Sequence, residues 1–360
     1  MYGEAGMSLG RFGNPKMNFN NFFKNKTVLV TGHTGFKGSW LSIWLNEMGA
    51  KVIGYSLEPP YENSLFEEAK LKDKIIDIKG DVRDLKKLER TFKEYKPEIV
   101  FHLAAQAIVR VSYNIPQETV ETNVMGTTNI LECIRKHPVK SAVIITSDKC
   151  YKNVEQAKGY VETDPFSDQD PYSCSKGCAE MIAQSYRNSF GIKVATTRAG
   201  NVIGGGDWAK DRLVPDVIRA LKSNKQIIIR NPNSVRPWQF VLEALSGYLL
   251  LAQKQYLGEN LSGGWNFGPD RVAIVPVKRV VDEIIREWGS GEVIIQKDQN
   301  KPEADLLYLD CTKSKTQLGW KPRLNTEKTI KSTVEWYKNF EKESAYDLCV
   351  KQIKEYEGIR

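Results

Sequence analysis

From Asn25 onward, short apolar runs rich in β-branched residues alternate with helical stretches, and this alternation limits what the chain can fold into more than anything else in it. The runs Thr27 to Thr31, Lys51 to Tyr55, Ile75 to Ile78, Ile99 to Leu103, Ser141 to Thr146 and Lys193 to Arg198 read as strands. Between them lie helix candidates such as Ser39 to Met48 and Val120 to Arg135. Strand, helix, strand in strict order implies crossover connections, hence a parallel sheet covered by helices on both faces. The rhythm breaks near Asn201, where Gly204-Gly205-Gly206-Asp207-Trp208 and later Asn231-Pro232-Asn233 are loop chemistry. Trp265-Asn266-Phe267 reads as one more buried strand. The expected fold is therefore α/β: a doubly wound parallel sheet over 25–200 with returning segments near 235–270. A smaller, mostly C-terminal α/β substrate domain over 201–350 would be interleaved with it, and 1–24 would be an N-terminal extension. The cleft between the two parts is the expected site.

Directly after the first strand stands Thr31-Gly32-His33-Thr34-Gly35-Phe36-Lys37-Gly38, opening the helix expected from about Ser39. Glycines there allow a tight turn, close backbone approach to a pyrophosphate and close packing of helix on strand, while the helix N-terminus offers donors and a positive dipole. The spacing is GxxGxxG, not the generic GxGxxG. Its place between strand and helix points to dinucleotide binding. The second strand runs into Tyr55-Ser56-Leu57-Glu58, without an acid at the usual ribose position, and Glu58 to Ser64 holds two carboxylates and no base. A 2′-phosphate would find no partner, which favours NAD over NADP.

Composition narrows the function classes. No segment approaches the ~20 apolar residues of a membrane span, and Met1 to Lys26 lacks the apolar core of a secretory signal. The six cysteines form no CxxC pair and the three histidines no metal spacing, so the chain is expected to be cytoplasmic and metal-free. The net charge of +8 is spread along the chain, which fits an anionic small ligand and no nucleic acid.

Tyr172-Ser173-Cys174-Ser175-Lys176 sets a tyrosine and a lysine on one face of a helix, one turn apart. It follows the glycine loop and a strand ending in Thr146-Ser147-Asp148-Lys149. With these three in order, the chain from about Lys26 to Pro322 resembles the extended short-chain dehydrogenase/reductase superfamily, whose cofactor domain is a Rossmann sheet. Gly80-Asp81-Val82-Arg83, Leu103-Ala104-Ala105 and Thr122-Asn123-Val124-Met125-Gly126-Thr127 fit the same pattern. The resemblance implies cofactor contacts from Gly32, Thr34, Gly35, Phe36, Lys37, Gly38, Asp81, Val82, Leu103, Ala104, Ala105, Asn123, Tyr172 and Lys176. Arg198-Ala199-Gly200-Asn201-Val202-Ile203-Gly204-Gly205-Gly206-Asp207-Trp208, with Leu213-Val214-Pro215-Asp216 and Arg236-Pro237-Trp238, is most similar to the CDP-glucose 4,6-dehydratases within it.

That resemblance implies a reaction on a nucleotide sugar. Tyr172 would take the proton of the 4-hydroxyl, for which its pKa must fall from about 10 toward neutrality, worth about 4 kcal/mol. Lys176 and the nicotinamide are the expected sources. Ser147 would bond the same hydroxyl, and Asp148, protonated through burial, would release the 6-hydroxyl as water. Where a glutamate is usual, this chain has Lys149, a trait of the CDP-glucose enzymes. It would act as the C5 base if desolvated, or stay charged and stabilise the enolate. Gln106 and Arg110 are candidate sugar contacts, Asn201 and Arg236 candidates for the diphosphate, since arginine grips phosphate in a fixed fork. His102 is read as a packed residue and Trp208 as a base stack or core filler. Lys301-Pro302-Glu303-Ala304-Asp305 and Leu318-Gly319-Trp320-Lys321-Pro322 look like the family tail, with Pro302 where a histidine is frequent. Family members are commonly homodimers through two helices per subunit. An epimerase, a 4,6-dehydratase of another nucleotide hexose and a dinucleotide-sensing module are the rival readings.

Overall fold

The computed structural model describes residue 19 and residues 21–59, 61–156, 158–296 and 306–359. The expected segment 301–305 lies outside the described residues, as does most of 1–24. Seven parallel strands form the central sheet: β1 (Thr27–Thr31), β2 (Lys51–Ser56), β3 (Ile76–Lys79), β4 (Ile99–His102), β5 (Ser141–Ile145), β6 (Val194–Arg198) and β7 (Gly263–Asn266), in the order β7-β6-β5-β4-β1-β2-β3. The order reverses between β1 and β4, where Thr31 pairs with Tyr55 on one side and His102 on the other. Ligands of doubly wound sheets bind at the carboxyl ends of the strands at such a reversal.

The strands are apolar on both faces because both are covered. Val28 and Val30 belong to one core cluster and Leu29 to the other, as the two-residue period requires. One face carries the helix Phe36–Glu47 (α1), with Trp40, Leu41, Ile43, Trp44 and Leu45 all buried. The other carries Leu85–Tyr95 (α2), Gly126–Lys136 (α3) and Pro171–Phe190 (α4), with Leu88, Phe92, Ile130, Leu131 and Ala183 in its cluster. Each fully buried aliphatic contributes about 1.5–3 kcal/mol. Helix ends are written locally. Asp84 caps α2 through Lys87 N, and α4 has Asp170 as its cap, Pro171 in its first turn and left-handed Gly191 as its stop.

Two boundaries differ from expectation. Helix α1 starts at Phe36, not near Ser39, because the chain turns helical right after Gly35. The helix expected from Val120 begins at Pro116 and includes a π-type turn, Glu121–Met125, before α3.

After β6 the chain builds small pieces around the strand ends: the helix Leu213–Lys222 (α5), the pair Val202–Ile203 with Gln239–Phe240, the pair Val235–Pro237 with Ile274–Pro276, and Ile227–Ile229 with Val293–Ile295. The helix Val241–Tyr256 (α6) returns to the sheet before β7. Three further helices follow, Val277–Trp288 (α7), Thr326–Asn339 (α8) and Ala345–Gly358 (α9). Phe19, Phe22 and Phe23 pack near Trp44 and Tyr256, with Phe19 and Trp44 ring centroids 5.9 Å apart and Phe22 and Tyr256 5.1 Å apart.

Candidate active site

The turn from β1 into α1 is drawn tightly against the chain that leaves β4. Gly32 has φ +72°, and a Cβ there would stand 2.7 Å from Ala104 N and 2.9 Å from the Leu103 carbonyl carbon. A Cβ on Gly38 would overlap the Gly32 carbonyl, so α1 starts flush on the turn. Gly35 precedes α1 with no side-chain cap, leaving the first-turn N–H groups without a side-chain acceptor. Thr34 ties the turn to β2, hydrogen-bonding Ser56 Oγ at 2.8 Å and donating to the Leu57 carbonyl at 3.2 Å. This cradle fits the diphosphate of a dinucleotide: glycines where a side chain would collide, and an uncapped helix start beside them.

Around it lie the other expected cofactor residues. Asp81 is gripped by Arg83, whose Nη2 is 2.6 Å and Nε 2.9 Å from Oδ2, and those bonds hold its carboxyl below the usual range. Val82 is buried against Gly126, and Leu103, Ala104 and Ala105 run half-buried past Gly32. Asn123, in the π-type turn, accepts from Gln106 N at 2.8 Å and donates to Gln106 O at 3.0 Å and Ser175 Oγ at 2.9 Å. Its side chain thus clamps the loop after β4 to α4.

His33 of the glycine loop is fully buried, with Nε2 2.8 Å from Asp77 Oδ1, while Nδ1 has no partner. It occupies the space that Gly54 leaves open. One base near this end escaped the sequence reading because it comes from β3 and not from the segment after β2: Lys79 Nζ is 2.8 Å from Glu58 and 3.6 Å from Asp77. The two carboxylates outnumber it, so the surroundings still disfavour an added phosphate.

The polar centre forms where β5 ends beside α4. Ser147 Oγ donates to Asp148 Oδ1 at 2.9 Å, and Lys149 N donates to the same oxygen at 2.9 Å. Burial raises the Asp148 carboxyl above the carboxylate range, opposed by Lys149, Ser147 and Arg236. Gly200 has no room for a Cβ because Asp148 lies against it. Tyr172 and Lys176 sit buried one turn apart on α4, and Lys176 Nζ donates to the Ile145 carbonyl at 3.3 Å.

Burial pushes the Tyr172 hydroxyl up to about 12, while a hydrogen bond with Ser147 and the charge of Arg212 pull the other way. Lys149 is exposed, so the desolvation that a base role demanded is absent. Lys176 itself is driven down to about 8 by burial.

Arg212 is the principal residue the sequence reading missed. It ends the glycine-rich segment and pairs with Asp207 at 3.1 Å, and its charge bears on both Tyr172 and Lys37. Lys37, in the first turn of α1, is held down to about 7 by burial and then by Arg212 and Lys176. Three cations, Lys176, Arg212 and Arg236, thus act on Lys37, Tyr172 and Asp148, groups of one centre whose acids are Asp148 and Asp207. Such a centre attracts an anion.

The remaining candidates divide. Arg236 is half-buried on the strand Val235–Pro237 and donates to the Val235 carbonyl at 2.9 Å. Asn201 is half-buried, its carbonyl accepting from Gln239 N at 3.2 Å. Arg110 lies 3.8 Å from Asp211. Gln106 spends its amide internally, donating to Thr119 Oγ1 at 3.0 Å and accepting from Ile108 N at 2.6 Å. Trp208 is a core filler, packed on Tyr337 and Phe340 with ring centroids 5.1 and 5.8 Å away. His102 is a packed residue, hydrogen-bonded to Thr31 at 2.7 Å and held neutral by burial, with its pKa lowered to about 3. Among the described residues no group of three acids, histidines or cysteines could hold a metal, and no helix is long and apolar enough to cross a membrane.

A family model described as GDP-mannose 4,6 dehydratase matches residues 29–333. The CDP-glucose 4,6-dehydratase of Salmonella typhimurium is 50% identical over 349 residues, covering 93% of this chain and 97% of that protein. The structure of dTDP-glucose 4,6-dehydratase from Bacillus anthracis in complex with NAD superposes with a TM-score of 0.76 at 25% identity, covering 87% of this chain and 97% of that one. UDP-glucose 4-epimerase from Thermotoga maritima with UDP-glucose does so with 0.77 at 26% identity, covering 87% and 99%. With its glycine cradle, its Tyr172 and Lys176 pair and a family match across most of its length, the chain belongs to the GDP-mannose 4,6 dehydratase family of extended short-chain dehydrogenase/reductases.

Proposed function

We propose that the protein is an NAD-dependent hydro-lyase that converts CDP-D-glucose to CDP-4-dehydro-6-deoxy-D-glucose and water. The observation that carries the reading is Asp148: a buried carboxyl, its pKa raised by burial, hydrogen-bonded by Ser147 and close enough to Tyr172 for its charge to act on that hydroxyl. An epimerase needs the tyrosine and lysine but has no water to expel. The half-identical Salmonella protein supports the cytidine nucleotide.

Gly32, Thr34, Gly35 and the first turn of α1 would hold the cofactor diphosphate, with Asp81, Val82 and the segment 103–105 alongside. NAD, when bound, supplies the hydride acceptor and donor. Tyr172 removes the 4-hydroxyl proton. From about 12, its hydroxyl needs about 7 kcal/mol of further phenolate stabilisation to act at neutral pH, and Arg212 and Lys176 are the nearby protein cations suited to give it. Ser147 orients that hydroxyl. Oxidation at C4 acidifies the C5 hydrogen, and Asp148 donates its proton to the departing 6-hydroxyl. Exposed to solvent, Lys149 is placed to stabilise the enolate, and the C5 proton passes to a solvent water as the C6–O bond breaks. Arg236, Asn201 and Arg212 would anchor the nucleotide diphosphate, and Arg110 would contact the sugar.

Half-exposed Met125 and Met181, with Val120, give the two helical runs 116–136 and 171–190 an apolar outer surface that suits pairing with a second copy. Light scattering at twice the chain mass would support a homodimer, and a monomer at micromolar concentration would refute it. All six cysteines are free, which suits the reducing cytoplasm.

Incubation with NAD and CDP-, UDP-, GDP- or dTDP-glucose, read by mass spectrometry, tests the assignment. The cytidine substrate should lose one water far faster than the others. Folded enzyme that leaves all four sugars unchanged would sink it, and a preference for another base would move the reading to a different 4,6-dehydratase.

A further inference from the structure

One buried ion pair lies outside the reacting groups yet is built into the helix that carries them. Tyr172, Lys176 and Glu180 follow one another at intervals of four along α4 and share a face. The Glu180 carboxylate is buried and receives four hydrogen bonds: Thr146 Oγ1 at 2.5 Å, Thr196 Oγ1 at 2.5 Å, Arg198 Nε at 2.9 Å and Arg198 Nη2 at 2.9 Å. Arg198 also donates to the Tyr151 hydroxyl at 2.5 Å and the Glu162 carbonyl at 3.0 Å, and Tyr151 donates to Asn266 Oδ1 at 2.8 Å. The carboxylate therefore ties α4 directly to β6 and to Thr146 just after β5, and through Arg198 and Tyr151 to the end of β7. Thr146 is the residue before Ser147 and Asp148.

A buried ion pair is weak ground for stability, since well-packed apolar replacements are often neutral or better. Its placement points elsewhere. We propose that Glu180 is a positioning residue of the reaction: it supplies the fixed negative charge beneath Lys176 and holds the Tyr172 and Lys176 face in register with Ser147 and Asp148.

The groups facing Lys176 are Tyr172 and Glu180 on its own helix, Cys150 after β5, His102 at the end of β4, Lys37 in α1 and, behind Glu180, Arg198. Burial lowers the Lys176 ammonium, and Cys150 and Glu180 oppose it. Burial drives the Cys150 thiol far above neutrality, so it stays uncharged. His102 is neutral as well. Glu180, whose carboxyl is held low by Arg198 and the two threonines against the effect of burial, is the group whose charge keeps Lys176 protonated.

The inference rests on the dehydratase reading, and the native enzyme separates the two: without turnover of any nucleotide sugar the function fails, whereas turnover with indifferent variants refutes only this role. Glu180→Gln strands the Arg198 charge and endangers folding, so Glu180→Gln with Arg198→Met, which removes both charges, carries the test. In both variants the alkaline limb of kcat should move down by about one half to one pH unit, and kcat at pH 8 should fall about two- to fivefold while KM changes less than about twofold. Glu180→Asp, which keeps the charge, should restore the native limb. A double variant that melts like the native protein and keeps its kcat and its pH profile would overturn the proposal, as would a Glu180→Asp profile displaced as far as that of the glutamine variant. Should the double variant fail to fold, the Glu180→Asp profile decides the question.

Discussion

The two parts of the candidate site are built by different means. At the cofactor end the surface is backbone: a left-handed Gly32, an uncapped Gly35, and Gly38 flush against the Gly32 carbonyl, all within one short stretch. At the proposed substrate end it is ionisable side chains gathered from five places: Lys37 of α1, Asp148 after β5, Lys176 of α4, Arg212 before α5 and Arg236 on a strand of its own. Backbone geometry is set locally and survives most side-chain changes. Buried charges are set jointly, so altering one resets its neighbours.

Substitutions should therefore act differently at the two ends. Tyr172→Phe should lower kcat about 10³- to 10⁴-fold, the upper range for a positioned base, with NAD affinity measured by calorimetry nearly unchanged. Near-native turnover in that variant would move the base elsewhere. Asp148→Asn should lower water elimination about 10²- to 10³-fold while C4 oxidation survives, so reduced nicotinamide absorbance should accumulate on adding CDP-glucose. Loss of both half-reactions together would mean that Asp148 shapes the site rather than acting as its acid.

Glu243 serves as a control remote from both ends. Buried on α6, its carboxylate accepts from Arg323 N at 2.8 Å, Leu324 N at 2.7 Å and the Tyr356 hydroxyl at 2.8 Å, and burial raises its pKa from 4.5 to about 7. The folded state therefore holds a proton that the unfolded state has released, and its contribution to stability falls as pH rises from 4.5 to about 7, by about 3 kcal/mol in all. Glu243→Gln should remove that slope, so its urea midpoint relative to the native protein should rise between pH 5 and pH 8. A constant difference across that range would contradict the assignment.

Gly32→Ala should cost about 1–3 kcal/mol of backbone strain and weaken NAD about tenfold or more, with little effect on kcat at saturating cofactor. The smallest effect is expected at the ribose end. Glu58→Gln frees part of the Lys79 charge and should narrow the preference for NAD over NADP severalfold, read as a ratio of dissociation constants. An unchanged ratio would show that Lys79 lies out of reach of the ribose.

The same contrast governs what the amino-acid sequence discloses. The strands lie close to where apolar runs place them, and even β7 is legible as Trp265-Asn266-Phe267. Ile99 to Leu103 ends one residue early, at His102, because Leu103 turns away to pass Gly32. The glycine loop, the Tyr172 and Lys176 pair and the Ser147-Asp148 turn are contiguous motifs with local geometry, and each stands where its pattern suggests. Arg212, Lys79 and the Glu180 and Arg198 pair are not legible, because their meaning depends on neighbours from other strands. The same holds for electrostatics. A tyrosine one turn from a lysine suggests a lowered pKa, yet in the folded protein burial raises it, outweighing Ser147 and Arg212. An exposed Lys149 beside a buried Asp148 likewise follows from a turn that points adjacent side chains opposite ways.

In the proposed reaction one site removes hydride from C4, expels water across C5 and C6, and returns the same hydride to C6. Its most direct test is CDP-glucose carrying deuterium at C4, incubated with a trace of NAD and analysed by NMR and mass spectrometry. The account predicts deuterium at C6 of the 4-dehydro-6-deoxy product, with many turnovers per cofactor and no net reduced nicotinamide. Deuterium retained at C4, released to solvent, or recovered in stoichiometric reduced cofactor would contradict it.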